Sequence, residues 1–305
     1  MSKRKKAFVL LAFGGADSIE SVEPFVRNVL KGRPITPELI EKTKERYKLI
    51  GGKSPLLDIT RAQAEAIKKL LNKDGLDYGA YVGMRYWHPF IKDTMRRIKD
   101  DGVEVLTAII MSPFTSLIAT GAYEKDVEEF LNSSGGPDTA YIDRWHLNAV
   151  FLDIIAGNVE KELASFPDRK DALVIFSNHS LPLMSLEGDP YEMLINQSVE
   201  EIVKRTEPID FQVGYQSKGA GPREWLGPST EDLIEGAKKA GKKGVVIVPL
   251  GFLADHVETL YDIDILFKGM ADSHGLAFRR TPSLNTSPGL MELLAGLIKK
   301  SGEKR

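Results

Sequence analysis

The chain has no cysteine among its 305 residues. That excludes disulfides, thiolate zinc sites, cysteine nucleophiles and cysteine-held iron–sulfur clusters, so any metal it handles must meet nitrogen and oxygen donors. Histidine is scarce as well, at five residues, which makes each position informative. No apolar run approaches the roughly 18 residues of a membrane-spanning helix. An excess of charge is also missing: the formal net charge of -2 leaves no basic footprint for nucleic acid. The opening MSKRKKAFVLLAFGG imitates a signal peptide, but its apolar stretch stops at Phe13, and Gly14, Gly15 and Asp17 follow without a small-residue cleavage site. It is read as the first strand of a cytoplasmic protein.

With 42% apolar and 28% charged residues, the composition is that of an ordinary globular protein. Its length favours two cores over one. Short β-branched runs alternate with longer stretches of helical period, the pattern of βα units wound on parallel sheets. Strands are predicted at 6–13, 78–84, 103–111, 138–143, 172–177, 210–215, 244–250 and 275–280, four in each half. Between them, TPELIEKTKERYKLI opens with Thr36 as N-cap, Pro37 at the first helical position and Glu38 in the first turn. The expected fold is α/β: two similar doubly wound, Rossmann-like domains, each with a four-stranded parallel sheet. The first spans residues 1–150, the second 151–285, and a last helix, 286–305, is expected to join the first. The glycine-rich KGAGPREW reads as a loop.

In open α/β sheets, ligands bind beyond the carboxyl ends of the strands. After the first strand, FGGAD lacks G-x-G-x-x-G and reads as a tight turn. GGKSP at 51–55 lacks the first glycine of a P-loop, where Tyr47 stands, and it runs into Pro55, so nucleotide binding is rejected. After the second strand, MRYWHPF gathers Arg85, Tyr86, Trp87 and His88, which suits core packing and the wall of a cleft for a large flat ligand equally. After the fifth, SNHSLP sets His179 among Ser177, Asn178 and Ser180. Neutral imidazole there can accept a proton or bind a metal; a hydrogen-bonded structural histidine is the competing reading. After the seventh, PLGFLADHVETLYDID crowds Asp255, His256, Glu258, Asp262 and Asp264 together. Acids near a helix start complement the macrodipole, and charge runs are usually solvated. Yet Asp255, Glu258 and Asp262 would share one helical face, where like charges need a partner cation and oxygen donors in a row suit a divalent ion. His256-x-Glu258 matches a fragment of the deaminase signature, whose chemistry requires cysteines this chain lacks.

FSNHSLP, GYQSKGAGPREWLGPSTEDLI, VPLGFLADHVETLYDID and MRYWHP, with RYKLIGGKSPL near the start and LNTSP near the end, cover nearly the whole chain. Together they resemble the ferrochelatases, enzymes that insert ferrous iron into a porphyrin in haem biosynthesis. The resemblance implies a chelatase-like fold with the porphyrin in the cleft between domains, and conversion of protoporphyrin IX to protohaem with release of two protons. Ferrous iron is then a substrate, and no tightly bound cofactor is expected. It further implies His179 and Glu258 as a catalytic pair facing across the cleft, a metal route past His179, Glu258 and Asp262, and porphyrin contacts from Phe13, Arg46, Tyr47, Ser54, Tyr86, His88 and Tyr123.

Three positions depart from the family pattern. Phe13 stands where many Gram-positive members carry a tyrosine that can face the metal, and Leu30 takes a basic position, with Arg27 and Lys31 nearby. Leu266 stands where some members have a further carboxylate. The first two lean away from coproporphyrin III, whose four propionates ask for more basic groups. A coproporphyrin III enzyme, a cobalt chelatase and a non-catalytic tetrapyrrole carrier stay open, as do monomer and homodimer. An apolar porphyrin product would suit transient membrane contact, but no strongly basic amphipathic helix is visible.

Overall fold

Strand β1 (Lys6–Ala12) is buried at every position after Lys6, which requires a sheet covered on both faces. It lies between β2 (Tyr78–Met84) and β3 (Val105–Ile110), with β4 (Asp138–Ile142) outside β3, all parallel. The second half repeats the pattern. There β5 (Ala172–His179) lies between β6 (Phe211–Gln216) and β7 (Gly244–Pro249), with β8 (Ala277–Arg280) outside. The computed structural model describes residues 4–73, 75–219 and 223–303. Ala220, Gly221 and Pro222 of the predicted loop, and the last two residues of the predicted terminal helix, lie outside the described residues.

All eight predicted strands are present. The largest consequence of a shifted boundary is at β5, which runs to His179 because its pairing with β6 continues as far as Gln216. His179 is therefore the last residue of a strand rather than part of a loop, and its backbone is fixed by the sheet.

Between β1 and β2 come α1 (Val22–Val29), α2 (Pro37–Leu49) and α3 (Leu56–Lys73). The Thr36 hydroxyl accepts the Leu39 N–H at 3.3 Å and caps α2 as its sequence predicts. Gly51 and Gly52, both at positive φ, end that helix, so the glycines of GGKSP serve as a helix stop. The remaining helices are α4 (Ile91–Asp100), α5 (Gly121–Ser134), α6 (Ala149–Leu163), α7 (Tyr191–Val203), α8 (Thr230–Lys239), α9 (Lys268–Ser273) and α10 (Pro288–Glu303). α10 packs on α3, α6 and β3. One apolar cluster then runs from Phe8 and Leu10 through Leu294 and Ile298 to Phe176 and Val246. The two sheets share this core, which fixes how their strand ends face each other.

Strand order reverses between β1 and β3 in the first sheet and between β5 and β7 in the second. At such a switch point the connections leave to opposite sides and a crevice opens beyond the strand ends. The turn after β1 has little room: Gly14 has φ +100°, and a Cβ there would come within 3.0 Å of the Trp87 backbone nitrogen. That approach lets the Arg85 and Tyr86 N–H groups donate to the Ala12 and Phe13 carbonyls, each at 2.9 Å. Gly14→Ala is expected to lower stability by about 1–3 kcal/mol. Urea unfolding checks this as a lower midpoint at unchanged slope.

Candidate active site

The four strands that flank the two switch points end around one cavity of about 250 Å³. Phe13 follows β1, Ile110 ends β3, His179 ends β5 and Phe252 follows β7. The start of α3 and Tyr123 of α5 close the wall, and none of the described lining residues is lysine or arginine. The cavity is mostly apolar, with its two histidines and its one carboxylate gathered on the side of the second sheet.

Those groups are oriented by local backbone contacts. His179 Nδ1–H donates to the Ser180 carbonyl at 2.6 Å, which leaves Nε2 facing Glu258 Oε1 at 3.6 Å. That separation allows charge attraction but exceeds a hydrogen bond. The second Glu258 oxygen lies 3.7 Å from His256 Nε2. The His256 ring in turn lies against Phe252, with centroids 5.0 Å apart. A single carboxylate therefore sits between two imidazoles.

The segment after β7 holds this arrangement. Its key is Asp255, whose carboxylate accepts bonds from Arg280, from Ser283 at 2.8 Å and from Asn285 Nδ2 at 2.8 Å. Asn285 Oδ1 accepts the Asp255 N–H at 2.9 Å in return. Glu258 then opens a ten-residue π-helix, Glu258–Phe267. This wide i→i+5 winding is rare and concentrates at functional sites.

Two of the sequence expectations for this stretch are corrected. Asp255 does not share a helical face with Glu258 and Asp262, because it precedes the helix and turns to Arg280 at the end of β8. Asp264 is not simply solvated either, since the same guanidinium binds it. Asp262 does follow Glu258 on the helix but does not line the cavity. Its Oδ2 accepts the Ser217 hydroxyl at 2.7 Å, and its Oδ1 lies 3.8 Å from Arg46, whose guanidinium stacks 5.0 Å over Tyr261. Arg46 is the partner cation that the acidic face requires.

The charges bias one another. Burial pulls the His179 imidazole down, but the Glu258 carboxylate, the Ser180 carbonyl and the Asp262 charge together reverse this, and the net shift is upward from 6.5. Burial pushes Glu258 up, yet His179 and then His256 hold it well below 4.5. Asp262 is pushed up from 3.8 to about 6, first by burial and then by the Glu258 charge, against the pull of Ser217 and Arg46.

Of the seven expected porphyrin contacts, Phe13 and Tyr123 line the cavity. Tyr86 backs the wall, its ring 4.6 Å from that of Phe13. The buried Tyr47 hydroxyl accepts the Ala16 N–H at 3.2 Å, and Ser54 Oγ accepts the Leu56 N–H at 3.3 Å. Both brace the turn after β1 from outside the cavity. His88 is exposed and packs edge-on against Phe90, and Arg46 serves Asp262. Two titratable lining residues, His256 and Tyr191, are not among the expected site residues. His256 was visible in the His-x-Glu spacing but was read only as part of a cysteine-dependent motif, and Tyr191 carries no pattern signal at all. Among the described residues no three histidine, aspartate or glutamate side chains are arranged to hold a metal ion.

The fold has solved counterparts. A sirohydrochlorin chelatase, SirB from Bacillus subtilis subspecies spizizenii in complex with cobalt, superimposes with a TM-score of 0.57 at 8% identity, over 98% of this chain and 96% of that one. CbiX, a siroheme-biosynthesis enzyme of denitrifying bacteria, gives 0.54 at 12% identity, over 97% and 99%. The architecture is that of the chelatases. The ferrochelatase family model matches residues 5–302. A ferrochelatase from Geotalea uraniireducens is 37% identical over 97% of this chain and 98% of its own. A coproporphyrin III ferrochelatase from Halalkalibacterium halodurans is 33% identical over 98% of each. The chain belongs to the ferrochelatase family. No helix among the described residues is long and apolar enough to cross a membrane.

Because the fold raises the Asp262 pKa, Asp262 binds its proton more tightly folded than unfolded, and stability is lost as pH rises from 3.8 to about 6. Asp262→Asn removes that penalty. Unfolding at pH 7.5 is expected to need up to roughly 3 kcal/mol more than in the parent protein, with the gap closing below about pH 4. Urea titrations at the two pH values measure it.

Proposed function

We propose that this protein inserts ferrous iron into protoporphyrin IX, as a lyase of haem biosynthesis. The observation that carries the reading is the pair formed by His179, at the end of β5, and Glu258, at the start of the π-helix, 3.6 Å apart on the wall of a mostly apolar cavity. Family membership over nearly the whole chain supports it.

Insertion breaks two pyrrole N–H bonds and forms four nitrogen–iron bonds. Two protons leave, and no electron changes hands. The macrocycle needs an apolar slot, and the departing protons need a base at its edge. His179 serves as that base through Nε2, because Nδ1 is committed to Ser180. Glu258 stabilises the imidazolium as it forms and offers oxygen to the incoming iron. His256 lies on its far side to receive charge in turn. The side chains of His179 and Glu258 keep 38% and 26% exposure, which leaves them open to a ligand.

The choice between porphyrins rests on charge. Each propionate brought into a cavity would need a cation or donors, and none of the described lining residues is lysine or arginine. A ring with two propionates, pointed out of the cleft, fits that wall better than one with four. The Halalkalibacterium halodurans relative keeps coproporphyrin III as the second reading.

Purified protein under anaerobic conditions, given ferrous ion with protoporphyrin IX or coproporphyrin III in turn, is expected to turn over the former faster by absorbance. No insertion into either porphyrin would sink the reading, and cobalt insertion alone would replace it. His179→Ala and Glu258→Gln are each expected to lower insertion by about 100-fold or more, while porphyrin still quenches tryptophan fluorescence. Near-parental turnover in either variant removes it from the reaction. Since the base must be neutral and its pKa is raised, the acid limb of the rate–pH profile is expected to have its midpoint above 6.5.

A further inference from the structure

A carboxylate outside the reacting pair bridges the two halves beside the cavity. Asp189 lies just before α7, in the segment that follows β5. Its Oδ1 accepts the Tyr191 N–H at 3.0 Å and caps that helix. Its Oδ2 reaches the other half of the molecule. It accepts the Ser116 hydroxyl at 2.8 Å and the Leu117 N–H at 2.7 Å, both from the loop between β3 and α5.

That loop and that segment are adjoining walls of the cavity, and the Phe114 and Tyr191 rings meet edge to face between them with centroids 6.4 Å apart. From the loop, Phe114, Ala119 and Thr120 line it; from the segment, Leu181 and Tyr191. The loop is stiffened locally, since Thr120 Oγ1 accepts the Ser116 N–H at 2.7 Å and donates to the Ser116 carbonyl at 2.9 Å. Ser116 is fully buried, so its bond to a carboxylate is sheltered from water and correspondingly strong. The Tyr191 hydroxyl donates to the His179 carbonyl at 3.1 Å, which ties the same segment to the histidine.

We infer that Asp189 is a positioning residue: its Oδ2, bonded to Ser116 and Leu117, is the clasp that keeps the two adjoining walls together around the porphyrin. The inference rests on the reading of the cavity as a porphyrin site. The clasp sets how long the ring stays bound and how firmly the His179 strand end is held while it does.

Asp189→Asn separates the clasp from the helix cap, because the amide oxygen can still accept from Tyr191 while the amide nitrogen cannot accept from Ser116 or Leu117. Metal-free protoporphyrin IX is bound to the full chain, and its release into excess detergent micelles is followed by fluorescence in a stopped-flow instrument. Asp189→Asn is expected to speed release about tenfold, and Ser116→Ala, which leaves α7 untouched, by a few-fold. The double variant should release no faster than Asp189→Asn alone, since both changes remove one contact. Thermal melts establish that each variant is folded. Release at the parental rate in Asp189→Asn overturns the clasp, as does a parental rate in Ser116→Ala or a double variant whose effects multiply. A parental protein that binds no porphyrin overturns the functional reading itself and the clasp with it, an outcome separate from the other three.

Discussion

A charged carboxylate in an apolar cavity is among the costliest groups a protein can bury, and Glu258 is tolerated because two imidazoles flank it. Much of the site follows from that requirement. One imidazole must come from the end of β5 and the other from the segment after β7, so the second sheet has to present both strand ends side by side. The segment carrying His256 must be held still, and Asp255, Arg280, Ser283 and Asn285 hold it. The cost appears one helical turn on. Asp262, near the Glu258 charge, is a carboxylate whose ionisation is disfavoured.

The cavity is possible because the sheets are parallel and doubly wound. Order reverses beside β1 and beside β5, so both sheets open their crevices beyond the same kind of strand end, and the shared core under α10 keeps the two openings facing. The first half supplies Phe13 and Tyr123 but no histidine or carboxylate to the lining, and the second supplies His179, His256 and Glu258. Neither half alone makes a site. A contact that spans them, such as Asp189 with the Ser116 loop, consequently acts on the cavity as a whole.

The eight strands and the cap of α2 were legible because they depend on local properties: β-branched runs and a threonine before Pro37. The ordered motifs that resemble the ferrochelatases pointed to His179 and Glu258, and these two meet. The rest of the expected site was less legible. Tyr47 and Ser54 were expected against porphyrin and instead brace the turn after β1, where the missing side chain of Gly15 leaves room for both. Arg46 sits on Tyr261 beside Asp262 rather than in the cavity. Asp255 was placed on a helical face because its spacing fits one, but periodicity carries no information about where a helix begins. Arg280, which decides the matter, lies 25 residues further along the chain.

What the amino-acid sequence determined by itself is the set of elements, their alternation and the chemical types available at each strand end. With no cysteine, thiolate donors were excluded for a metal substrate. Strand order, the pairing that carries β5 on to His179, and the roles taken by five clustered acidic and imidazole groups were decided by the tertiary structure alone. The physical reason is range. Strand and cap signals act over a few residues, whereas the charge state and direction of a buried side chain depend on partners contributed by distant segments, and those partners are set only once both sheets have packed.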